Sequence, residues 1–264
     1  MQHRIKTLAV TAALAFGAAV MPTPAAAAVT TLYAPTPAAD TRLVTNEYAY
    51  WNQGARDAVQ SPDWQMDSGS LFTRPTAEGP AYWSGPVNDR VPDGDSNPGT
   101  NSAIFRLTTK RADFGDVQVR MKLLINSQTA TRSTPVVDWD GLHIFLRYQH
   151  EASLYYVSVA RRDGAIVAKK KCPGGPSNGG TYYTLGTGAV KYKPTPGQWK
   201  WYSANVQNNK DGSVTIGVNR ADVPVFSITD KGTGCAPITK PGRVGLRGDN
   251  TDFNFSNYKV STLS

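Results

Sequence analysis

The sequence is poor in the side chains on which most metal and nucleophile chemistry depends. Its 264 residues include only two cysteines and three histidines. Two of those histidines, His143 and His150, lie beyond the first 28 residues, and their spacing of seven does not bring them together, so a zinc centre is disfavoured. There is also no nucleophile elbow, phosphate loop or dinucleotide fingerprint, which argues against nucleotide chemistry and hydride transfer.

Long apolar runs are equally scarce, apart from one at the start of the chain. Residues 1–28, "MQHRIKTLAVTAALAFGAAVMPTPAAAA", combine a basic start, an apolar run over residues 8–20 and an A-x-A end. This layout is typical of a cleaved secretory signal, and the run is too short to span a bilayer comfortably. We therefore expect a secreted, extracellular protein that is not embedded in a membrane.

Both cysteines, Cys172 and Cys235, follow the predicted signal. Export would place them in an oxidising compartment, which predicts a single disulfide between them.

No helical stripe of useful length occurs, whereas about a dozen short alternating runs are separated by Gly, Pro, Asn and Asp turns. This pattern predicts an all-β domain over residues 43–264, built as a sandwich of two antiparallel sheets. Residues 29–42 are small and contain proline, which predicts a flexible leader.

Three segments resemble the recurring strands of concanavalin A-like jelly-roll domains: "FGDVQVRMKLLI", "QWKWYSANVQNNKDGSVTIGVN" and "GRVGLRGDNTDFNFSNYKV". The resemblance runs from about Leu71 to the end of the chain. It implies a curved sandwich whose concave sheet binds or cleaves polysaccharide.

The segment "DGLHIFLRYQ" separates into two faces when it is read as a strand. Leu142, Ile144, Leu146 and Tyr148 form an apolar face, and the other face presents His143, Phe145, Arg147 and Gln149. A two-residue hairpin at Asp163-Gly164 would pair Ser158 with Lys169 and Tyr156 with Lys171, which adds these four residues to the polar face.

The strand "DVQVRMKLLI" supplies a further polar row of Gln118, Arg120 and Lys122. Together these strands predict a basic surface that binds a polyanion through arginine forks and lysines. Even without Arg4 and Lys6 of the signal the chain remains basic. Outside the cell this favours an acidic polysaccharide over nucleic acid, although the charge could serve solubility alone.

The polar face also predicts chemistry. Eliminative cleavage of a uronate polymer needs a group that neutralises the carboxylate, a base and an acid. Arg147 or Gln149 would neutralise, and His143 and Tyr156 would act as base and acid. This set is similar to that of jelly-roll polysaccharide lyases acting on alginate or glucuronan. The sequence departs from the alginate lyases, however, because Gly-Leu-His replaces Gln-Ile-His at residues 141–143 and Arg120 lacks their R-x-E-L-R context.

Other residues are candidate ligand contacts. Trp83 and Trp139 lie beside predicted loops, where an indole can stack on a sugar ring. Asn178 and Tyr182 lie in "GGPSNGGTYY", a segment that we predict to form a flap over the site.

We therefore predict a secreted, monomeric lyase that acts on an acidic glycan and needs no cofactor. A non-catalytic lectin-like module is the alternative, in which His143, Tyr156 and the lysines are ordinary surface or packing residues. A hydrolase using Asp138 or Asp140 is weaker, since the three glutamates form no E-x-D-x-E motif. Calcium binding at "PDGDSN" stays open, because Asp93, Asp95 and Asn97 alternate there as oxygen ligands, although a polar turn explains them equally simply.

Overall fold

The computed structural model describes residues 28–85, 87 and 103–263. The predicted signal, except for Ala28, and the candidate calcium turn lie outside these residues. Within them the chain forms two antiparallel sheets and a single short helix, α1 (Tyr48–Trp51). This confirms the predicted all-β jelly-roll sandwich. No helix in the described part of the chain is long and apolar enough to cross a membrane.

One sheet has nine strands. From edge to edge its strands are β14 (Val223–Asp230), β13 (Val214–Arg220), β12 (Lys200–Asn208), β7 (Val117–Gln128), β16 (Thr251–Thr262), β5 (Gly79–Trp83), β4 (Ser70–Thr76) and β2 (Arg42–Asn46), with β1 (Thr31–Tyr33) also paired to β16.

The second sheet has seven strands and carries the candidate site. In order they are β11 (Gly180–Thr187), β10 (Val167–Ser177), β9 (Ser153–Arg161), β8 (Gly141–His150), β15 (Arg243–Asp249), β6 (Ile104–Thr109) and β3 (Trp64–Ser68).

The last two strands of the chain lie in the middle of the two sheets. β15 is inserted between β6 and β8, and β16 is inserted between β5 and β7. The chain crosses repeatedly from one sheet to the other, as from β7 to β8 and from β11 to β12. Strands of the two sheets therefore face each other across one core, where β8 contacts β12.

The core follows the alternation of the strands. On β7, Val117, Val119, Met121 and Leu123 are buried while the residues between them are partly exposed. Leu142, Ile144 and Leu146 of β8 point into the same core from the opposite sheet. Burying each such side chain contributes about 1.5–3 kcal/mol, so a one-residue slip that turned either strand over would be strongly unfavourable.

The segment for which composition predicts a flexible leader, residues 29–42, is partly ordered. Thr31–Tyr33 forms β1, and the Tyr33 ring packs against Trp64, Phe114 and Tyr258 with centroid distances of 5.9, 5.9 and 6.4 Å. The overall composition of residues 29–42 does not predict this order. A single aromatic side chain within the segment has enough apolar surface to anchor it to the core.

The predicted disulfide is present between Cys172 and Cys235. Beside it, the buried Lys170 ammonium donates to both carboxylate oxygens of Asp230 at 2.8 and 3.1 Å, and the Tyr155 hydroxyl donates to the same carboxylate at 2.7 Å. The segment after β14 is thus fixed to β10 by a covalent bond and a satisfied buried ion pair.

Candidate functional site

The outer face of the seven-stranded sheet carries rows of side chains that run across its strands. In one row Ser158 lies opposite His143, His143 opposite Arg247, and Arg247 opposite Arg106. In the next row Lys169 lies opposite Tyr156 and Tyr156 opposite Phe145. Because strand pairing sets these neighbours, basic and aromatic residues from five strands meet on one surface.

Three adjacent cavities on this face form what we call the groove. Their volumes are about 210, 290 and 190 Å³, and Arg247 lines all three. Tyr182 lines the first two and Trp139 the last two. Arg106, Tyr148, Lys171 and Asn178 line the first cavity, and Tyr156 and Lys169 line the second.

His143 lies beneath the groove rather than in it. Its side chain is 0% exposed and stacks under the Tyr156 ring at a centroid distance of 4.3 Å. Nδ1 is 3.0 Å from Ser158 Oγ, and Nε2 is 3.3 Å from Asp249 Oδ2, an ion-pair distance without hydrogen-bond geometry. Burial lowers the pKa of His143 despite the nearby carboxylate, which keeps the imidazole neutral at pH 7.

The side chains of Asp249, His143 and Ser158 follow one another as carboxylate, imidazole and hydroxyl do in a catalytic triad. Unlike a triad, this series is not accessible to a ligand. Ser158 is also 0% exposed, so neither its hydroxyl nor the imidazole can reach a bound ligand in this conformation. The geometry therefore gives His143 a supporting position under Tyr156 and does not favour the direct role as a base that the sequence predicts.

The Arg247 guanidinium is held in place by Asp249. Nε donates to both carboxylate oxygens at 3.0 and 2.9 Å, and Nη2 donates to Oδ1 at 2.8 Å. Burial alone would raise the pKa of Asp249, but the charge of Arg247 and its hydrogen bonds hold that pKa well below its usual range. The two residues thus form a permanently ionised pair that fixes a guanidinium in the centre of the groove.

Lys169 and Lys171 are the unusual cations of the groove. In the described parts of the chain neither ammonium has a carboxylate within ion-pair distance, and the Lys171 Nζ lies 5.1 Å from the centre of the Tyr182 ring. Burial lowers the pKa of Lys169, and it lowers the pKa of Lys171 from 10.5 to about 8. Two partly desolvated charges are therefore kept without an ion-pair partner, which is unfavourable for folding, although the charge of Glu151 opposes part of the pKa shift of Lys171.

Aromatic rings form the rest of the groove surface. Burial raises the pKa of Tyr148, Tyr156 and Tyr182, so all three phenols are protonated at neutral pH. Tyr156 and Tyr182 contact each other at a centroid distance of 5.6 Å. Trp139, at one end of the groove, is 52% exposed and offers an indole face to solvent.

Arg147 is not in the groove, which corrects the prediction that it neutralises a substrate carboxylate. Its side chain is 0% exposed and donates to the Gly115 and Thr239 carbonyls and to Asp116 Oδ1, at 2.9, 2.5 and 2.7 Å. The physical reason is its backbone, whose φ of 49° interrupts the alternation of β8. Tyr148, assigned to the apolar face by simple alternation, lines the groove instead.

Five further candidates lie on the other sheet or at the end of β8. Gln118, Arg120 and Lys122 are on β7 of the nine-stranded sheet, so the prediction that they share a surface with His143 is wrong. Arg120 pairs with Asp222 at 2.8 Å and Lys122 with Glu78 at 2.5 Å.

Trp83 also lies on the nine-stranded sheet, where its indole nitrogen donates to Asp252 at 2.7 Å. Gln149 is at the end of β8 and donates to the Pro241 carbonyl at 2.9 Å. Asp140, a candidate hydrolase acid, is buried and accepts hydrogen bonds from Val137 N, Arg162 and Asn250, which assigns it a loop-fixing role.

The hairpin register differs from the predicted one by two residues. Lys169 pairs with Tyr156 and Lys171 with Leu154, because the connection spans residues 162–166 rather than two residues. A shift of two preserves the face of every side chain, so Tyr156, Ser158, Lys169 and Lys171 still lie on one face with His143.

Arg106, Arg247 and Asp249 are parts of this site that were not predicted from the sequence. The signal for the last two was present in "LRGDN", where residues 247 and 249 are two apart and so share one face of a strand. The position of that strand in the sheet depends on the tertiary structure and cannot be predicted from a local pattern. β15 lies next to β8 although nearly a hundred residues separate the two strands in the sequence.

No protein-family model and no curated protein matches the chain. Among solved structures it is similar to the potassium-bound carbohydrate recognition domain of Emp46p, with 12% identity, a TM-score of 0.48 and coverage of 75% of this chain and 87% of the other. It is also similar to the β-porphyranase BpGH16B of the gut bacterium Bacteroides plebeius (10% identity, TM-score 0.47, 87% and 95% coverage). A third similar structure is the alginate lyase vAL-1 from Chlorella virus (9% identity, TM-score 0.41, 75% and 87% coverage).

Proposed function

We propose that the groove binds an acidic polysaccharide. The observation that carries this proposal is the pair Lys169 and Lys171, two partly buried cations without a carboxylate partner in the described residues. Their burial lowers the pKa of both ammonium groups, which means that the folded protein disfavours their charged state. A ligand carboxylate or sulfate would supply the missing partner and relieve that cost.

Arg247, Trp139 and Tyr182 fit the same ligand class, whereas Glu151 places one carboxylate at the first cavity. Arg247 provides a fixed guanidinium at the centre, and its own partner Asp249 prevents the side chain from moving away when no ligand is bound. Trp139 and Tyr182 provide flat apolar surfaces on which sugar rings stack. Along one groove the cations are complementary to the acidic groups of such a polymer, and the aromatic rings are complementary to the apolar faces of its sugar rings.

Eliminative cleavage of the bound chain is the second candidate, and Lys171 favours it. A lysine whose pKa is about 8 is partly neutral near physiological pH and can accept a proton. In such a reaction Lys171 would take the proton beside the uronate carboxylate, Arg247 would neutralise that carboxylate, and a protonated tyrosine, Tyr156 or Tyr182, would give its proton to the leaving glycosidic oxygen. This assignment replaces His143 with a group that lines the groove.

Binding is tested by titration calorimetry of the purified protein with polyglucuronate, alginate, pectate and heparin, and with neutral dextran for comparison. We expect binding of at least one acidic polymer, with an affinity that falls as salt increases. The double variant Lys169→Met/Lys171→Met should lose at least about tenfold in affinity. Lys210→Met, which removes an exposed lysine from the β12–β13 hairpin, is the matched control and should bind normally.

Cleavage is followed separately by the ultraviolet absorbance of unsaturated uronate in the same mixtures. Absorbance that appears with an acidic polymer and disappears in Lys171→Met and in a Tyr156→Phe/Tyr182→Phe double variant supports the lyase. Binding without absorbance leaves a lectin-like module. The absence of binding to every acidic polymer would refute the proposal for the groove as a whole.

A further inference from the structure

A second cavity, of about 350 Å³, lies on the outer face of the nine-stranded sheet, away from the groove. Its wall carries four amide side chains from three adjacent strands: Gln118 of β7, Asn205 and Gln207 of β12, and Asn219 of β13. We call this cavity the amide trough. Val29, Pro224, Thr262 and Leu263 complete its lining.

Strand pairing explains why the amides converge. Gln118 lies directly opposite Asn205, and Asn205 lies opposite Gly217. Asn219 is two residues further along β13 and therefore on the same face of the sheet. Because Gly217 has no side chain, the Asn205 amide lies over it, and a Cβ at that position would approach Asn205 Oδ1 to 2.6 Å. The floor of the trough is thus shaped around the position of one amide.

The four amides are polar groups without protein partners. Throughout the described residues none of their side chains makes a hydrogen bond with another protein group, whereas the Asn209 amide, in the turn directly after β12, donates to the Thr215 hydroxyl of β13 at 2.9 Å. Each amide offers two N–H donors and a carbonyl acceptor. The trough therefore presents about eight donors and four acceptors to whatever enters it.

The chemistry of the lining indicates an uncharged ligand. The residues that line the trough include no Asp, Glu, Lys or Arg, in a chain whose formal charge is +8. Neighbouring amides both donate and accept hydrogen bonds. They are therefore complementary to the hydroxyls of a sugar, each of which also donates and accepts hydrogen bonds. We infer that the amide trough is a second carbohydrate site, one that binds a neutral polysaccharide chain.

This inference is independent of the function proposed for the groove, because the two sites lie on opposite sheets and differ in charge. Together they would allow one domain to hold an uncharged glycan on one face and an acidic glycan on the other.

The test is titration of the full chain with neutral oligosaccharides of glucose, xylose, mannose and galactose, each six sugars long, followed by calorimetry and by backbone-amide NMR shifts. We expect at least one to bind, with shifts confined to β7, β12 and β13. Asn205→Ala/Asn219→Ala should weaken that binding about tenfold or more, since at least two sets of hydrogen bonds are lost. Gln53→Ala, which removes an exposed amide from the loop after α1, is the matched control.

Two further variants separate this site from the groove. Trp139→Ala and Lys171→Met should leave the neutral ligand bound with unchanged affinity. Neutral oligosaccharides that fail to bind, or whose binding is lost in these groove variants but kept in Asn205→Ala/Asn219→Ala, would overturn the inference. A far-ultraviolet circular dichroism spectrum shows whether the double variant is folded, and Asn205→Gln alone tests the same site with the amide displaced rather than removed.

Discussion

Replacement of Lys171 by methionine should make the protein more stable and its binding weaker. Methionine keeps the unbranched stem against Tyr182 and removes the ammonium that burial disfavours. The pKa of Lys171 falls from 10.5 to about 8 on folding. Without screening by solvent, a shift of that size corresponds to about 3 kcal/mol in the free energy of unfolding. Water in the open groove screens part of this effect, so we expect a gain of about 1–2 kcal/mol in the free energy of unfolding at pH 7.

The pH dependence of this gain follows from the direction of the shift. Between about pH 8 and 10.5 the unfolded chain binds more protons at this lysine than the folded chain, so the wild-type protein gains stability as pH rises. The variant lacks this group. The extra stability of the variant relative to the wild-type protein is therefore fully present below about pH 8 and disappears as the pH approaches 10.5. Urea unfolding of both proteins at pH 7 and at about pH 10 measures the difference.

The affinity for an acidic polymer should change in the opposite sense, with a loss of about tenfold or more at pH 7. Wild-type affinity should itself decrease as pH rises through about 8, because the neutral amine no longer pairs with a carboxylate. A variant that is less stable than wild type at pH 7 would show that the ammonium has a favourable internal partner. A more stable variant with unchanged affinity would show that Lys171 does not contact the ligand.

Three other changes test separate parts of the structure. Trp139→Ala should reduce affinity for the acidic polymer several-fold, with less than about 0.5 kcal/mol change in stability because the indole is half exposed; equal calorimetric affinities would remove it from the site. Asp249→Asn should lower stability at pH 7 by about 2–4 kcal/mol, since the Arg247 guanidinium loses its buried charge partner. Because the pKa of Asp249 is depressed on folding, that difference should shrink as pH falls below about 4, and a difference independent of pH would contradict the assignment. Cys172→Ser/Cys235→Ser should lower stability by about 4 kcal/mol, as expected for a bridge that closes 63 residues; guanidinium unfolding with and without reductant measures it, and a loss below about 1 kcal/mol would disagree.

The faces of most strands could be predicted from the sequence, since burial selects one side of each alternating run. Leu142, Ile144 and Leu146 are buried as expected, and Tyr156 and Lys169 share the outer face. Alternation does not reveal which sheet a strand joins. For that reason the basic row of β7 was placed on the wrong surface.

Single residues that break the pattern were also beyond prediction. Arg147 adopts a positive φ without being glycine, and five hydrogen bonds from its guanidinium to distant segments hold it there. Those partners come from residues 115–116 and 238–240, which no local pattern connects to β8. The same applies to Arg247, whose place in the groove depends on where β15 enters the sheet.

The position of β15 and β16 has a consequence for synthesis of the chain. A ribosome makes β15 and β16 after every other described strand of the two sheets, yet each lies between two strands that are made earlier. Neither sheet can close until residues 243–262 have emerged, and their pairs with β6 and β7 join segments more than a hundred residues apart in the sequence. A nascent chain halted before residue 243 would hold each sheet as two separate groups of strands, so we expect an early stop to leave no smaller folded version of the domain.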